Sequence, residues 1–150
     1  MEKITRTLED LSAEAARFLH GLAPLATGAT LITLSGELGA GKTAFVKAVA
    51  QAFGVGETVT SPTFVLEKIY ALTPKSGHPM STFGRLIHID AYRLSGAAEL
   101  APLGFDELMR DRNNIILLEW PERVVEALPP VAFTITLAAR PDGSHTISYG

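Results

Sequence analysis

The segment Gly36-Glu-Leu-Gly-Ala-Gly-Lys-Thr43 satisfies the spacing G-x-x-x-x-G-K-[ST] and lies between an apolar, β-branched run and an amphipathic helix pattern. That spacing lets the backbone close into a nest of inward-pointing N–H groups at a helix N-terminus, where unpaired amides and the helix dipole favour phosphate. Glycine supplies the positive φ values such a loop needs, a lysine reaches the β/γ-phosphates, and the Thr hydroxyl can ligate Mg²⁺. Glu37, Leu38, Gly39, Ala40, Gly41, Lys42 and Thr43 are therefore the candidate nucleotide-binding residues. The motif also restricts the fold, because it works only where a buried strand hands over to a helix. An α/β domain follows, with a P-loop mixed sheet flanked by helices.

The 150 residues are expected to form one domain, and 47% hydrophobic with 19% charged residues fits an ordinary globule. A net charge of −3 gives no overall attraction to nucleic acid or to an anionic membrane. Cysteine is absent, so disulfides and Cys-ligated zinc are excluded. The opening Met1-Glu-Lys-Ile-Thr-Arg has no apolar signal core, and no stretch is long and apolar enough to span a bilayer. A cytoplasmic, nucleotide-using protein is expected.

Along the chain, Ile4 to Thr7 reads as a short edge strand. Leu8, Leu11, Ala15, Phe18, Leu19 and Leu22 then recur at helical spacing, with Thr7 or Ser12 as N-cap and Pro24 and Gly28 as the stop. Thr30–Ser35 is a buried strand leading into the loop, and Phe45, Val49 and Phe53 mark the apolar face of the helix that follows. Thr63–Tyr70 and Arg85–Asp90 read as two strands. The segment between them holds Pro74, Gly77, Pro79 and Gly84 and cannot form a crossover helix, so an antiparallel hairpin over 63–90 is expected. Ala97–Arg112 carries helix formers and can provide the crossover to a parallel strand at Ile115–Glu119. Alternating Val131, Phe133, Ile135 and Leu137, a Pro141-Asp-Gly turn, then Ile147 and Tyr149 predict a second antiparallel hairpin over 131–149.

A phosphate loop needs a carboxylate for its magnesium shell, and Leu86-Ile-His-Ile-Asp90 has the form of an apolar strand ending in such an acid. Asp90 is the first candidate, although an Asp at a strand end also serves as a turn residue. Glu119 ends another apolar strand, and strand C-termini gather around the ligand in open α/β sheets. A solvated strand end is its ordinary alternative. Trp120 either belongs to the site or covers the edge of the core. Thr60, Ser61 and Thr63 lie where nucleotide-sensing switch segments occur, or else form a proline turn before the next strand. His88 alternates with Ile87 and Ile89, which reads as a satisfied, half-buried residue rather than a catalyst. Arg93 is placed to reach a phosphate or a partner's acid, or to form a surface ion pair.

Taken in order, G-E-L-G-A-G-K-T at 36–43, T-S-P-T-F at 60–64, H-I-D-A-Y-R-L at 88–94, L-G-F-D-E at 103–107 and L-E-W-P-E-R at 118–123 resemble the bacterial TsaE (YjeE) family. The resemblance spans essentially the whole chain. It implies a small P-loop fold that binds ATP and Mg²⁺, hydrolyses ATP weakly alone, and supports the TsaD–TsaB pair in threonylcarbamoyl transfer to the adenosine beside the tRNA anticodon. It further implies that Lys42 and the loop amides hold the triphosphate and that Thr43 and Glu119 ligate magnesium. Asp90 would organise the hydrolytic water or metal shell, and Thr60 to Thr63 would be the switch. Position 37 departs from the pattern, with Glu where the family commonly has Asp. The sequence also stops directly after the last expected strand, so a contact from the C-terminal helix of longer relatives is not expected.

Two enzyme classes and one binding class compete with this reading. A small-molecule kinase needs an acceptor pocket and usually an Arg-bearing lid, and no Arg-rich segment is visible. A GTPase needs an Asn-Lys-x-Asp-like base reader, whereas Asn113-Asn114 precedes a strand. A module that binds nucleotide without turnover would show affinity but no hydrolysis. Contact with tRNA is expected only through the protein partners.

Overall fold

The structure, a computed structural model, describes residues 2–55, 67–72 and 83–150. Its centre is a mixed sheet in which β1 (Glu2–Thr5), β2 (Thr30–Ser35), β3 (Glu67–Ala71), β4 (Arg85–Asp90), β5 (Asn114–Glu119), β6 (Phe133–Ala139) and β7 (His145–Tyr149) lie in the order β1-β7-β6-β2-β5-β4-β3. β2 runs parallel to both of its neighbours, β5 and β6, and β4 runs parallel to β5. β2, β4 and β5 are largely buried on both faces, as the middle of a sheet covered on both sides requires: every residue of β5 is buried, as are five of the six in β2 and four of the six in β4.

Two helices cover one face. Helix α1 (Leu8–His20) opens with a capping box, in which the Asp10 amide donates to Thr7 Oγ1 at 3.0 Å and the Thr7 amide donates to the Asp10 carboxylate at 3.2 Å. Thr7 rather than Ser12 is thus the cap, and β1 ends at Thr5, two residues before the expected end. The helix stops at Gly21, ahead of Pro24. Helix α2 (Lys42–Ala52) packs beside α1, and Phe18, Leu19, Phe45, Val49, Leu34 and Leu117 belong to the core on this side. A second core on the opposite face holds Leu31, Ile87, Ile89, Ile116, Leu118, Leu100 and Phe105.

The crossover from β4 to β5 is not one helix. Ala97–Leu103 is a 3₁₀ helix, and α3 (Phe105–Arg110) follows only after Gly104. Pro102 lacks the N–H an α-helix would use, and Gly104 takes φ 76°, closing one element and opening the next. The result is still the expected parallel β4–β5 pair. Both expected hairpins are present as antiparallel pairs, β3–β4 and β6–β7. Residues 63–66 of the first lie outside the described residues, and Val131 precedes β6 rather than belonging to it.

Candidate functional site

The C-terminal ends of β2, β4 and β5 converge on the loop between β2 and α2. Gly36, at φ 149°, leaves β2 so closely beside β6 that a Cβ there would overlap the Leu137 carbonyl oxygen. Gly41 is the N-cap of α2 and offers no side-chain cap, which leaves the helix N-terminus to backbone amides. Within the loop Glu37, Leu38 and Gly39 are exposed and Ala40 is buried. Such amides at a helix N-terminus are what an anionic ligand requires.

Lys42 is buried, and its Nζ donates to the Gly36 carbonyl and, at 2.9 Å, to that of Glu37. The same ammonium lies 4.2 Å over the Trp120 ring. Burial holds its pKa below the ordinary lysine range, while Glu119, Asp90 and Glu122 oppose the shift. Trp120 takes up this position in a left-handed conformation, φ 60° and ψ 53°, which is strained for a bulky residue by about 1–3 kcal/mol. Its amide donates to the Leu34 carbonyl at 3.2 Å and its ring packs 4.9 Å from Tyr92. Trp120 therefore covers the core edge and also lies against the Lys42 ammonium.

The structure brings Thr43 and Glu119 together, with the Thr43 hydroxyl 3.2 Å from Oε1 and 3.3 Å from Oε2 of Glu119. Glu119 is not a solvated strand end, since it is only 2% exposed. Asp90 pairs with Glu119 across the β4–β5 ladder and is half-buried. Its carboxyl is pushed above the usual range, chiefly by burial and secondarily by the Glu119 charge, against which the Tyr92 amide, His88 and Lys42 act. Asp90 Oδ1 also accepts that Tyr92 amide at 3.0 Å, so the turn bond is made by the same side chain that lies beside Glu119.

His88 differs from the sequence expectation. It is fully buried rather than half-buried, its Nε2 is 2.5 Å from Glu119 Oε2, and its Nδ1 has no hydrogen-bond partner among the described residues. The signal was present in the strand period: His88 precedes Asp90 by two positions and so shares its face. Arg93 is exposed, on the turn after β4. Thr60, Ser61 and Thr63 lie outside the described residues.

A cleft on the other flank of the loop had no counterpart in the sequence reading. Thr7, Leu8, Leu11, Gly41, Leu137 and His145 are among its lining residues, and His145 Nδ1 is 3.0 Å from the Ala40 carbonyl. No periodicity joins residue 7 to residue 145; only the pairing of β1 with β7 brings these segments together.

The donors around Thr43 are hard oxygens, of the kind magnesium prefers. Among the described residues no three His, Cys, Asp or Glu side chains form a self-sufficient metal site, and magnesium usually takes only one or two carboxylates from the protein, with phosphate oxygens and water completing its shell. The residues present therefore fit a nucleotide-bound magnesium ion.

Comparison with known proteins finds relatives over most of the chain. The family model described as "Threonylcarbamoyl adenosine biosynthesis protein TsaE" matches residues 6–147. The tRNA threonylcarbamoyladenosine biosynthesis protein TsaE of Treponema pallidum is 33% identical over 148 residues, covering 99% of this chain and 98% of that one. Its counterpart in Streptomyces coelicolor is 42% identical over 109 residues, 71% of this chain and 67% of that one. The crystal structure of Bacillus subtilis YdiB superposes with a TM-score of 0.72 at 26% identity, covering 99% of this chain and 83% of that one. With the family model matched over residues 6–147 and a relative 33% identical over 99% of its length, the chain belongs to the TsaE family.

Proposed function

We propose that this protein is a weak Mg²⁺-dependent ATPase that supports threonylcarbamoyl transfer to the adenosine beside the tRNA anticodon, acting with TsaD and TsaB in the cytoplasm as a single domain. The observation that carries this reading is the meeting of the Thr43 hydroxyl with the buried Glu119 carboxylate at the N-terminus of α2, beside Lys42 and Asp90. Loop amides from Glu37 to Thr43 hold the phosphates, and Lys42 exchanges its loop carbonyls for β/γ-oxygens, so that its buried charge gains a stronger counter-charge. The cleft beside Gly41, with Leu8, Leu11 and Leu137 in its wall, takes the nucleoside.

Magnesium, held by Thr43 and Glu119, would neutralise charge developing on the transferred phosphoryl group. Asp90, paired with Glu119 across the β4–β5 ladder, orients the water that attacks the γ-phosphate. Trp120 and Tyr92 shield the lysine from bulk water, which strengthens its field on the phosphates. Arg93 on its exposed turn, with Thr60, Ser61 and Thr63, makes the contact that reports nucleotide state to the partner proteins.

The decisive measurement is ATP turnover by the isolated chain and again with TsaD–TsaB and tRNA. Slow release of phosphate that rises with the partners supports the proposal. Binding without turnover under both conditions, or transfer of phosphate to a metabolite, overturns it.

A further inference from the structure

Glu119 is gripped from two sides, and the two grips are unequal. Thr43 Oγ1 is nearly equidistant from the two carboxylate oxygens, at 3.2 and 3.3 Å, so it does not choose between them. The terminal torsion of a glutamate is broad, which leaves the carboxylate plane free to turn unless a third group fixes one oxygen. His88 does so: its Nε2 reaches only Oε2, at 2.5 Å, in a pair that is 0% and 2% exposed.

The choice of histidine is informative because position 88 lies in the middle of β4, where Leu86, Ile87 and Ile89 are all fully buried. An apolar side chain would be the cheap occupant, whereas a buried imidazole costs stability unless it is hydrogen-bonded. Among the described residues an acceptor faces only one of the two ring nitrogens. Nδ1 has no partner among the described residues, so a proton there would be buried without an acceptor, while a proton on Nε2 meets a carboxylate.

We propose that His88 is a positioning residue for the metal site. Its Nε2–H fixes Oε2 of Glu119, and the carboxylate then presents Oε1 beside the Thr43 hydroxyl to the cation. This rests on the reading that Thr43 and Glu119 hold magnesium. Hydrogen-bond partners of metal ligands orient them in this way, and losing one weakens metal binding by about 10–100-fold.

The test uses Mn²⁺ in place of Mg²⁺, with a non-hydrolysable ATP analogue, and reads bound metal by electron paramagnetic resonance. His88→Leu, confirmed as folded by circular dichroism and thermal melting, is expected to weaken Mn²⁺ binding about 10–100-fold. His88→Gln keeps an N–H donor of similar reach and is expected to recover most of that loss. Should His88→Leu fail to fold, ¹⁵N NMR of the wild-type histidine side chains is decisive by itself, with the His88 signal assigned through His88→Gln: hydrogen on Nε2 is expected. Hydrogen on Nδ1 alone, unchanged Mn²⁺ affinity in folded His88→Leu, or a Gln variant no better than Leu overturns the proposal while leaving the magnesium reading intact. Failure of the wild-type nucleotide complex to bind Mn²⁺ removes the magnesium reading, and the role of His88 falls with it.

Discussion

At the scale of single residues, the site gathers groups that cost the fold something. Lys42 is buried with its pKa pushed down, Asp90 is half-buried with its pKa pushed up, and Trp120 is strained. Removing such groups should harm activity more than folding. Lys42→Ala is expected to lower partner-stimulated ATP turnover by about 10²–10³-fold while the melting temperature stays equal or rises, since alanine is the better helix former and removes a buried charge. Turnover at the wild-type rate would refute the assignment of the loop. Asp90→Asn and Glu119→Gln should separate in a magnesium titration: Glu119→Gln needs more Mg²⁺ to reach half its maximal rate, whereas Asp90→Asn loses about 10²–10⁴-fold in rate at saturating metal. Indistinguishable titrations at wild-type rates would remove both from the site.

At the scale of elements, the loop and helix α1 are each pinned by a contact that the local sequence does not show. Gly36 faces the Leu137 backbone of β6, so Gly36→Ala must push the loop away from its neighbour. The expected result is a fold destabilised by about 1–3 kcal/mol, read from urea unfolding, with nucleotide affinity reduced as well. Helix α1 is tied to β7 by Glu14, which accepts from the Tyr149 hydroxyl at 2.6 Å and pairs with Arg17. Burial raises the Glu14 pKa, but the Arg17 and Tyr149 hydrogen bonds and nearby Lys3 outweigh it, and the net shift is downward. A depressed folded pKa means that this contribution is complete above the unfolded value near 4.5 and is lost as pH falls through the folded value. Glu14→Gln should accordingly cost about 1–2 kcal/mol at pH 7, and thermal melts should show that difference shrinking as pH drops below the usual carboxylate range. A gap of constant size down to pH 3 would show that the ion is not what matters there.

At the scale of the whole molecule, the sheet order puts the parallel strands β6, β2, β5 and β4 at the centre with antiparallel strands outside. No described helix is long and apolar enough to cross a membrane. With a net charge of −3, the isolated chain should bind tRNA only weakly at physiological salt, because clustered Lys and Arg supply most non-specific affinity. Filter binding at about 150 mM salt checks this, and tight, nucleotide-independent retention of tRNA would place tRNA on this chain directly rather than through TsaD–TsaB.

What the sequence determined by itself was whatever depends on neighbours in the chain. The phosphate-loop motif, the strands ending at Asp90 and Glu119, both hairpins and a helix start near Thr7 or Ser12 follow from spacing, alternation and turn chemistry acting over a few residues, and the structure chose Thr7. The split of the crossover was legible too, in Pro102 and Gly104, but helix formers on either side masked it. Only the tertiary structure decided that β6 lies against β2, that residues 7 and 145 wall one cleft, and that His88 reaches Glu119. These contacts join residues that are 31 or more positions apart, through sheet register and strand order, and no local pattern carries that information.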